Sequence, residues 1–361
     1  MPLKVINVSK RFGSTVALDG ISFELNKRDE FFSLLGPSGC GKTTALRIIA
    51  GLLDPDEGKV FFEDEDLTYI PPEKRNFGYV FQNYALFPHM TVFENVAFGL
   101  KLRKLPQNEI RKRVKESLEM VGLTGLENRR PRQLSGGQQQ RVAIARVLAI
   151  QPRLLLLDEP LSNLDAKLRE KVRFELKDLQ KRLGIPAVYV THDQAEALVL
   201  SDRIAVMQNG KIVQIGSPSE IYRRPSTAYV ADFIGISNFM KGKVVEYDSS
   251  SREVLVETDV GDLIKGYATQ DLRKGEKVML SIRPENIKVI NSEKIAKEHN
   301  IIKVNVKRIT FLGDSYDYRL DYSGWELRMK TLPDIILHEK QQIFVKLMDI
   351  LVFRMEEGEK R

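Results

Sequence analysis

Hydrophobic positions change period several times along this chain, and each change marks an element. LKVINVSKRF and VALDGISFELN, near the start, alternate apolar and polar residues with the period of half-buried strands. FFSLLG is a short continuous apolar run suited to a strand buried on both faces. After GPSGCGKTT the spacing turns helical in ALRIIAGLL, so the region predicts strand, glycine loop, helix. From about residue 83 to 150 helical patterns dominate, as in NEIRKRVKESLEMVGL, which puts Ile110, Val114, Leu118 and Val121 on one side. RLLLLDEP and AVYVTHD predict two further buried strands. The segment between them places Leu168, Val172, Leu176, Leu179 and Leu183 on one helical face. Strands alternating with helices predict an α/β domain around a mostly parallel sheet. Beyond about Ile236 hairpin-like alternation takes over, as in KVVEYDSSSREVLVET and SYDYRLDYSGWELRMK. The expected organisation is an α/β domain over residues 1–235, with a helical insertion at about 83–150, and a β-rich domain over 236–361.

Composition narrows the function classes. A chain of 361 residues exceeds one ordinary core, in keeping with two domains. The start, MPLKVINVSKRFG, lacks a basic stretch followed by an apolar run, so no secretory signal is expected. No apolar run approaches the ~20 residues of a membrane helix, so a membrane role is expected to come through a partner. The single cysteine, Cys40, excludes an internal disulfide, and His89, His192, His299 and His338 do not pair at metal-ligand spacing with it. A net charge of +7 with 29% charged residues of both signs argues against nucleic-acid binding.

Two motifs carry chemistry. GPSGCGKT, Gly36 to Thr43, has the G-x-x-x-x-G-K-[ST] spacing of a phosphate loop and sits between a predicted strand and helix. Its glycines let backbone N–H groups turn toward phosphate oxygens, and the helix N-terminus favours negative charge. Lys42 is expected to reach the β- and γ-phosphates, and Thr43 to offer its hydroxyl to Mg²⁺. RLLLLDEP supplies the complement: four leucines bury the strand, so Asp158 emerges at its carboxyl end to hold the Mg²⁺ shell, and Glu159 beside it is placed to polarise an attacking water. RRPRQLSGGQQQR is then a puzzle, because Ser-Gly-Gly before an apolar-patterned run also reads as an anion-holding helix start. One phosphate chain does not need two cradles in one subunit.

LSGGQQQR, Leu134 to Arg141, lying between the phosphate loop and LLLLDEP, strongly resembles the signature of ATP-binding-cassette ATPases. Other elements resemble that family in order: Gln82 the Q-loop glutamine, SNLD at Ser162 to Asp165 the D-loop, His192 the switch histidine, and Phe12 the aromatic that stacks on adenine. The likeness spans roughly the first 235 residues. It implies a P-loop NTPase cassette with a mostly parallel core sheet, an antiparallel β subdomain and a helical subdomain. It also implies ATP held by Phe12, Gly36, Pro37, Ser38, Gly39, Cys40, Gly41, Lys42, Thr43 and Thr44, with Mg²⁺ at Thr43, Gln82 and, through water, Asp158. Catalysis would fall to Glu159, His192, Gln82 and Lys42. In that family two cassettes pair head to tail, so Ser135, Gly136, Gly137 and Gln138 would close on the partner's ATP, with Asp165 in the D-loop at the seam. The second cradle would serve the neighbour's nucleotide, and a homodimer is implied.

The blander features keep blander readings. Cys40 reads as a small packed residue, RKRVKES as a solvated helix face and FEDEDLT as a solvated hairpin. In the family that the cassette resembles, the segment matching Gln82 to about Asn95 borders the groove that receives a short helix from the membrane subunit, so Tyr84, Leu86, Phe87 and His89 stand open between surface loop and partner contact. Beyond the cassette, FIGISNFMKGKV, LSIRPENIKVI and ITFLGDSYDYRLDYSGWEL resemble the all-β OB-like regulatory domain that closes a subset of import ATPases. The absence of fused membrane helices, of a second cassette and of a long coiled coil argues against exporters, translation factors and DNA-repair ATPases. An ATPase subunit of an importer is implied. It would be peripheral on the cytoplasmic face of the membrane, served by two permease subunits and, indirectly, an extracytoplasmic solute-binding protein. IGISNF leans toward ferric iron, sulfate or polyamine over sugar. A sugar importer and a soluble ATP-switched regulator remain as alternatives.

Overall fold

The computed structural model describes residues 2–290 and 299–355. By contact the chain divides into two compact units, residues 1–219 and 220–361.

In chain order the first unit contains β1 (Leu3–Phe12), β2 (Thr15–Glu24), β3 (Phe31–Leu35), α1 (Lys42–Ala50), β4 (Glu57–Phe62), β5 (Glu65–Asp66), α2 (Pro72–Arg75) and β6 (Phe77–Val80). Then come α3 (Val92–Leu102), α4 (Gln107–Met120), α5 (Gly136–Ala149), β7 (Leu154–Asp158), α6 (Ala166–Leu183), β8 (Ala187–Thr191), α7 (Gln194–Leu200), β9 (Arg203–Gln208) and β10 (Lys211–Gly216). A four-stranded antiparallel sheet runs β2-β1-β4-β5, and a six-stranded sheet runs β10-β9-β3-β8-β7-β6. In the larger sheet only β10 is antiparallel to its neighbour. Every residue of β3, β7 and β8 is buried, as their unbroken apolar runs require of parallel strands covered on both faces. Register then does the positioning: Leu35 lies opposite Thr191, and Asp158 opposite Val190. The loops leaving β3, β7 and β8 therefore open at one edge, where open α/β sheets bind ligands.

The helical block packs Val96, Ala97 and Leu100 of α3, Val114 and Leu118 of α4, and Val142, Ala145 and Leu148 of α5 into one core with Leu155 and Leu157 of β7. Thr91 and Glu94 form a capping box that starts α3. On α6 the apolar stripe buries Val172, Leu176 and Leu179, while Leu168 and Leu183 are half-buried at its ends.

The second unit takes in most of α8 (Pro218–Arg223) and all of α9 (Ala228–Phe233). Its strands are β11 (Asn238–Tyr247), β12 (Glu253–Thr258), β13 (Leu263–Ala268), β14 (Lys277–Ile282), β15 (Ile287–Ile290), β16 (Ile301–Phe311), β17 (Tyr316–Tyr322), β18 (Trp325–Thr331), β19 (Gln342–Leu347) and β20 (Leu351–Arg354). A closed barrel runs β11-β12-β13-β20-β14, and beside it stands a five-stranded sheet, β15-β19-β16-β17-β18. The alternation read in the sequence carries both, and their inward residues share one core, with Val256, Ile264 and Leu280 on the barrel side and Val304, Tyr318 and Val345 on the sheet side. The buried Arg283 guanidinium donates to the Tyr222, Ala231 and Ile236 carbonyls, which fastens α8 and α9 to the barrel.

Candidate active site

The loop between β3 and α1 is held by close backbone approach. Gly41 has φ +103°, and a Cβ there would lie 2.3 Å from the Ala17 carbonyl oxygen, so only glycine fits against β2. Gly41 offers no side chain to cap α1, so the first-turn N–H groups of Lys42, Thr43 and Thr44 keep their donor capacity at the positive end of the helix. Pro37, Ser38 and Gly39 are exposed, and Cys40 is buried with its thiol pKa pushed up by burial against an opposing pull from Lys42. The Lys42 ammonium, itself buried, donates to the Gly36 and Pro37 carbonyls at 2.8 Å each, so its charge is centred in the loop. Phe12 lies at the end of β1 opposite Thr15, half open to solvent, on the hairpin whose Ala17 touches the loop.

Two clusters form where the strands end. In the first, Asp158 Oδ1 accepts from the Thr43 hydroxyl at 2.9 Å, and Oδ2 accepts from the Tyr79 hydroxyl at 2.8 Å. Burial, and then the Asp158 charge, hold the Tyr79 phenol neutral, so it is the donor. In the second, Glu159 Oε2 accepts from Gln82 Nε2 at 3.2 Å and lies 3.0 Å from His192 Nδ1. Glu159 adopts φ +44°, a left-handed backbone that costs of order 1–3 kcal/mol for a residue with a side chain and is characteristic of functional turns. Its N–H donates to Val190 O at 3.0 Å, which locks the strained residue to β8. Asn163 Nδ2 donates to the Gln82 carbonyl at 2.9 Å, so the segment after β7 also holds the one after β6.

Gln82, Glu159 and His192 thus meet, as do Thr43 and Asp158. The signature residues stand apart: among the described residues, no hydrogen bond joins Ser135 or Gln138 to Lys42, Thr43, Asp158 or Glu159. Ser135 caps α5 in a reciprocal box with Gln138, and Ser135 and Gly136 are exposed. A Cβ at Gly137 would come within 2.9 Å of Leu168, so the signature packs closely on the start of α6, where Asp165 is the N-cap. In the segment 82–95, Asn95 is fully buried and bonds to the Phe87 N–H, the Phe87 carbonyl and the Thr91 carbonyl. Arg146 donates to the Tyr84 and Ala85 carbonyls at 2.7 Å each. The result is a fixed loop with Tyr84 buried, Leu86 and Phe87 half-buried and His89 exposed.

Four further residues of the site escaped the sequence reading. Tyr79 reaches Asp158 through strand register, Tyr79 opposite Leu156, which no local motif signals. Asn163 lies inside SNLD but bonds outside it. Arg169 and Glu196 lie under the His192 turn, with Glu196 buried and accepting from the Tyr189 and Thr191 hydroxyls at 2.7 Å each. Burial raises the Glu196 carboxyl pKa against those two donors.

With these groups in place, comparison with known proteins is informative. The ABC transporter family profile matches residues 18–162. The spermidine/putrescine import ATP-binding protein of Thermotoga maritima is 46% identical over 322 residues, covering 88% of this chain and 87% of that protein. The protein of the same description from Acetivibrio thermocellus is 45% identical over 358 residues, covering 99% and 97%. Among solved structures, the cassette MJ0796, a dimer in a post-hydrolysis state bound to ADP and Pi, matches with TM-score 0.54 and 38% identity over 60% of this chain and 98% of that one. The cassette cbiO1 of Clostridium perfringens, part of an ABC transporter complex, matches with TM-score 0.57 and 35% identity over 61% and 89%. With relatives 45–46% identical over most of its length and a matching family profile, the chain belongs to the ATP-binding-cassette transporter ATPases.

Proposed function

We propose that this chain is the ATP-hydrolysing subunit of a polyamine importer, working on separate membrane subunits from the cytoplasmic face. The observation that carries the substrate class is the likeness to spermidine/putrescine import proteins, which extends over 99% of the chain for one relative and so takes in the second unit. The sequence left iron and sulfate level with polyamine, and the descriptions of the relatives named above favour polyamine. Among the described residues no helix is long and apolar enough to cross a membrane, in keeping with separate permease partners. The fixed loop over residues 82–95 is their proposed docking surface.

Lys42 and the α1 N-terminus bind and orient the phosphates of ATP. Glu159, held from two sides by Gln82 and His192, orients the attacking water and accepts its proton, and His192 steadies the charge that develops on the transferred phosphoryl group. Thr43, Asp158 and Gln82 offer hydroxyl, carboxylate and amide oxygens, the hard donors that Mg²⁺ takes, so the residues fit that ion. Mg²⁺, when bound, neutralises phosphate charge. Because, among the described residues, no hydrogen bond joins the exposed Ser135 and Gly136 to this chain's own phosphate loop, they are assigned to the nucleotide of a second copy. Light scattering of Glu159→Gln at saturating Mg-ATP should show a dimer, and a monomer at micromolar protein would defeat that assignment.

Uptake of labelled spermidine, putrescine, ferric iron, sulfate and maltose in cells deleted for the gene tests the substrate. Polyamine uptake restored by the wild type and not by Glu159→Gln is expected. Restored uptake of sugar or an inorganic ion would replace the substrate class, and no uptake defect together with recovery of soluble partners alone would favour a regulator.

A further inference from the structure

We propose that Arg169 is a positioning residue that couples the turn over residues 162–165 to the His192 turn of the same chain, so that docking of a second copy is transmitted to the hydrolytic groups. The inference rests on the functional reading above. Arg169 stands one turn into α6, its N–H bonded to the carbonyl of the cap residue Asp165 at 2.8 Å. Its guanidinium makes one hydrogen bond and two ion pairs, on two separate segments. Nη2 donates to the Leu164 carbonyl at 3.0 Å, Nη1 lies 3.5 Å from Asp193 Oδ2, and Nε lies 3.9 Å from Glu196 Oε1.

Those two carboxylates hold the turn that carries His192. Asp193 Oδ1 accepts from the Glu196 N–H at 3.0 Å, and Thr191 Oγ1 both accepts from the Asp193 N–H at 2.9 Å and donates to Glu196 Oε2. A cavity of about 30 Å³ separates this network from the catalytic pair, and Arg169, Ser162, Asp193, Glu159 and His192 all line it. Arg169 therefore sits behind Glu159 and His192 without a bond to either.

A guanidinium is a rigid planar fork, so acceptors gathered on it keep fixed relative positions. A shift of the Leu164 carbonyl rotates that plane and moves Asp193, and with it the His192 side chain now 3.0 Å from Glu159. Catalytic alignment is sensitive to displacements of about 1 Å. The guanidinium thus spans both segments, with a hydrogen bond to the Leu164 carbonyl on one side and ion pairs to Asp193 and Glu196 on the other.

Arg169→Lys keeps the charge and removes the fork. In ATPase assays at saturating Mg-ATP its kcat should fall about tenfold, the size of losing one charge-assisted contact, with nucleotide Kd within about twofold of wild type. Asp193→Asn should show a similar split, and the double variant should lose little more than either single one, because both break one link. Unchanged kcat, additive losses, or a fall in nucleotide affinity that matches the fall in kcat would each overturn the coupling role. Glu159→Gln run alongside separates the two levels of the argument. If it is inactive while Arg169→Lys turns over normally, only the coupling fails. If Glu159→Gln itself turns over normally, the catalytic reading fails first.

Discussion

Arg75 offers the sharpest test of how α1, the helix that follows the phosphate-loop motif, is held. The residue closes α2 and has no exposed surface, yet it carries a full charge. Its guanidinium is satisfied by backbone alone: Nε donates to Ile70 O at 2.6 Å, Nη1 to Ile48 O at 3.0 Å and to Ile49 O at 2.8 Å, and Nη2 to Thr68 O at 3.1 Å. Ile48 and Ile49 belong to the last turn of α1, whose carbonyls have no intrahelical partner. The approach needs Gly51, where a Cβ would lie 2.5 Å from Nε. Arg75→Met keeps an unbranched apolar chain and deletes every donor. Ile48 O retains the Gly51 N–H, leaving Ile49, Thr68 and Ile70 to lose the donor described for them. At about 1–3 kcal/mol for each stranded buried acceptor, reduced by relaxation and water entry, the loss is about 4 kcal/mol. For a unit of this size that lowers its melting temperature by about 8–16 °C. Calorimetry of the full chain should show the shift in the first unit's transition. A shift below about 3 °C would mean that the carbonyls find other partners and that Arg75 does not anchor α1.

Two further outcomes follow from the described contacts. Tyr79→Phe removes one of the two hydroxyl donors of Asp158 while keeping the ring packed at a tilt against Phe81, centroids 4.4 Å apart, so the half-saturating Mg²⁺ concentration for nucleotide binding should rise about threefold or more; an unchanged Mg²⁺ titration would dismiss the contact. Ser250 and Ser251 donors hold the Asp248 carboxyl at about 2, below its unfolded value, so its stabilising contribution is complete above pH ~4 and disappears as pH falls through about 2. Asp248→Asn should flatten stability against pH in that window only, and an NMR titration placing the carboxyl near 4 would refute the assignment.

Much of the cassette was legible because its signals are local. An unbroken apolar run before Asp158 buries β7 and leaves the carboxylate at its end, and the phosphate-loop spacing leaves few other conformations for glycine. What stayed hidden depends on register and on contacts distant in sequence. Tyr79 meets Asp158 only once β6 pairs with β7, and the acceptors of Arg75 and Arg169 are in part supplied by α1 and by the turn after β8. In the second unit alternation announced strands without saying how they close. The parallel pairing of Tyr267 with Leu351 that helps complete the barrel joins segments more than 80 residues apart, and alternation carries no trace of it.

The central claim is that ATP is hydrolysed at the meeting point of Gln82, Glu159 and His192. Phosphate release under multiple turnover, measured beside nucleotide binding for the wild type and Glu159→Gln, tests it most directly. Turnover should fall by at least about a hundredfold in the variant while Mg-ATP affinity stays within a few-fold, because the carboxylate acts on the attacking water rather than on the bound nucleotide. A variant that releases phosphate at the wild-type rate would contradict the account at its centre.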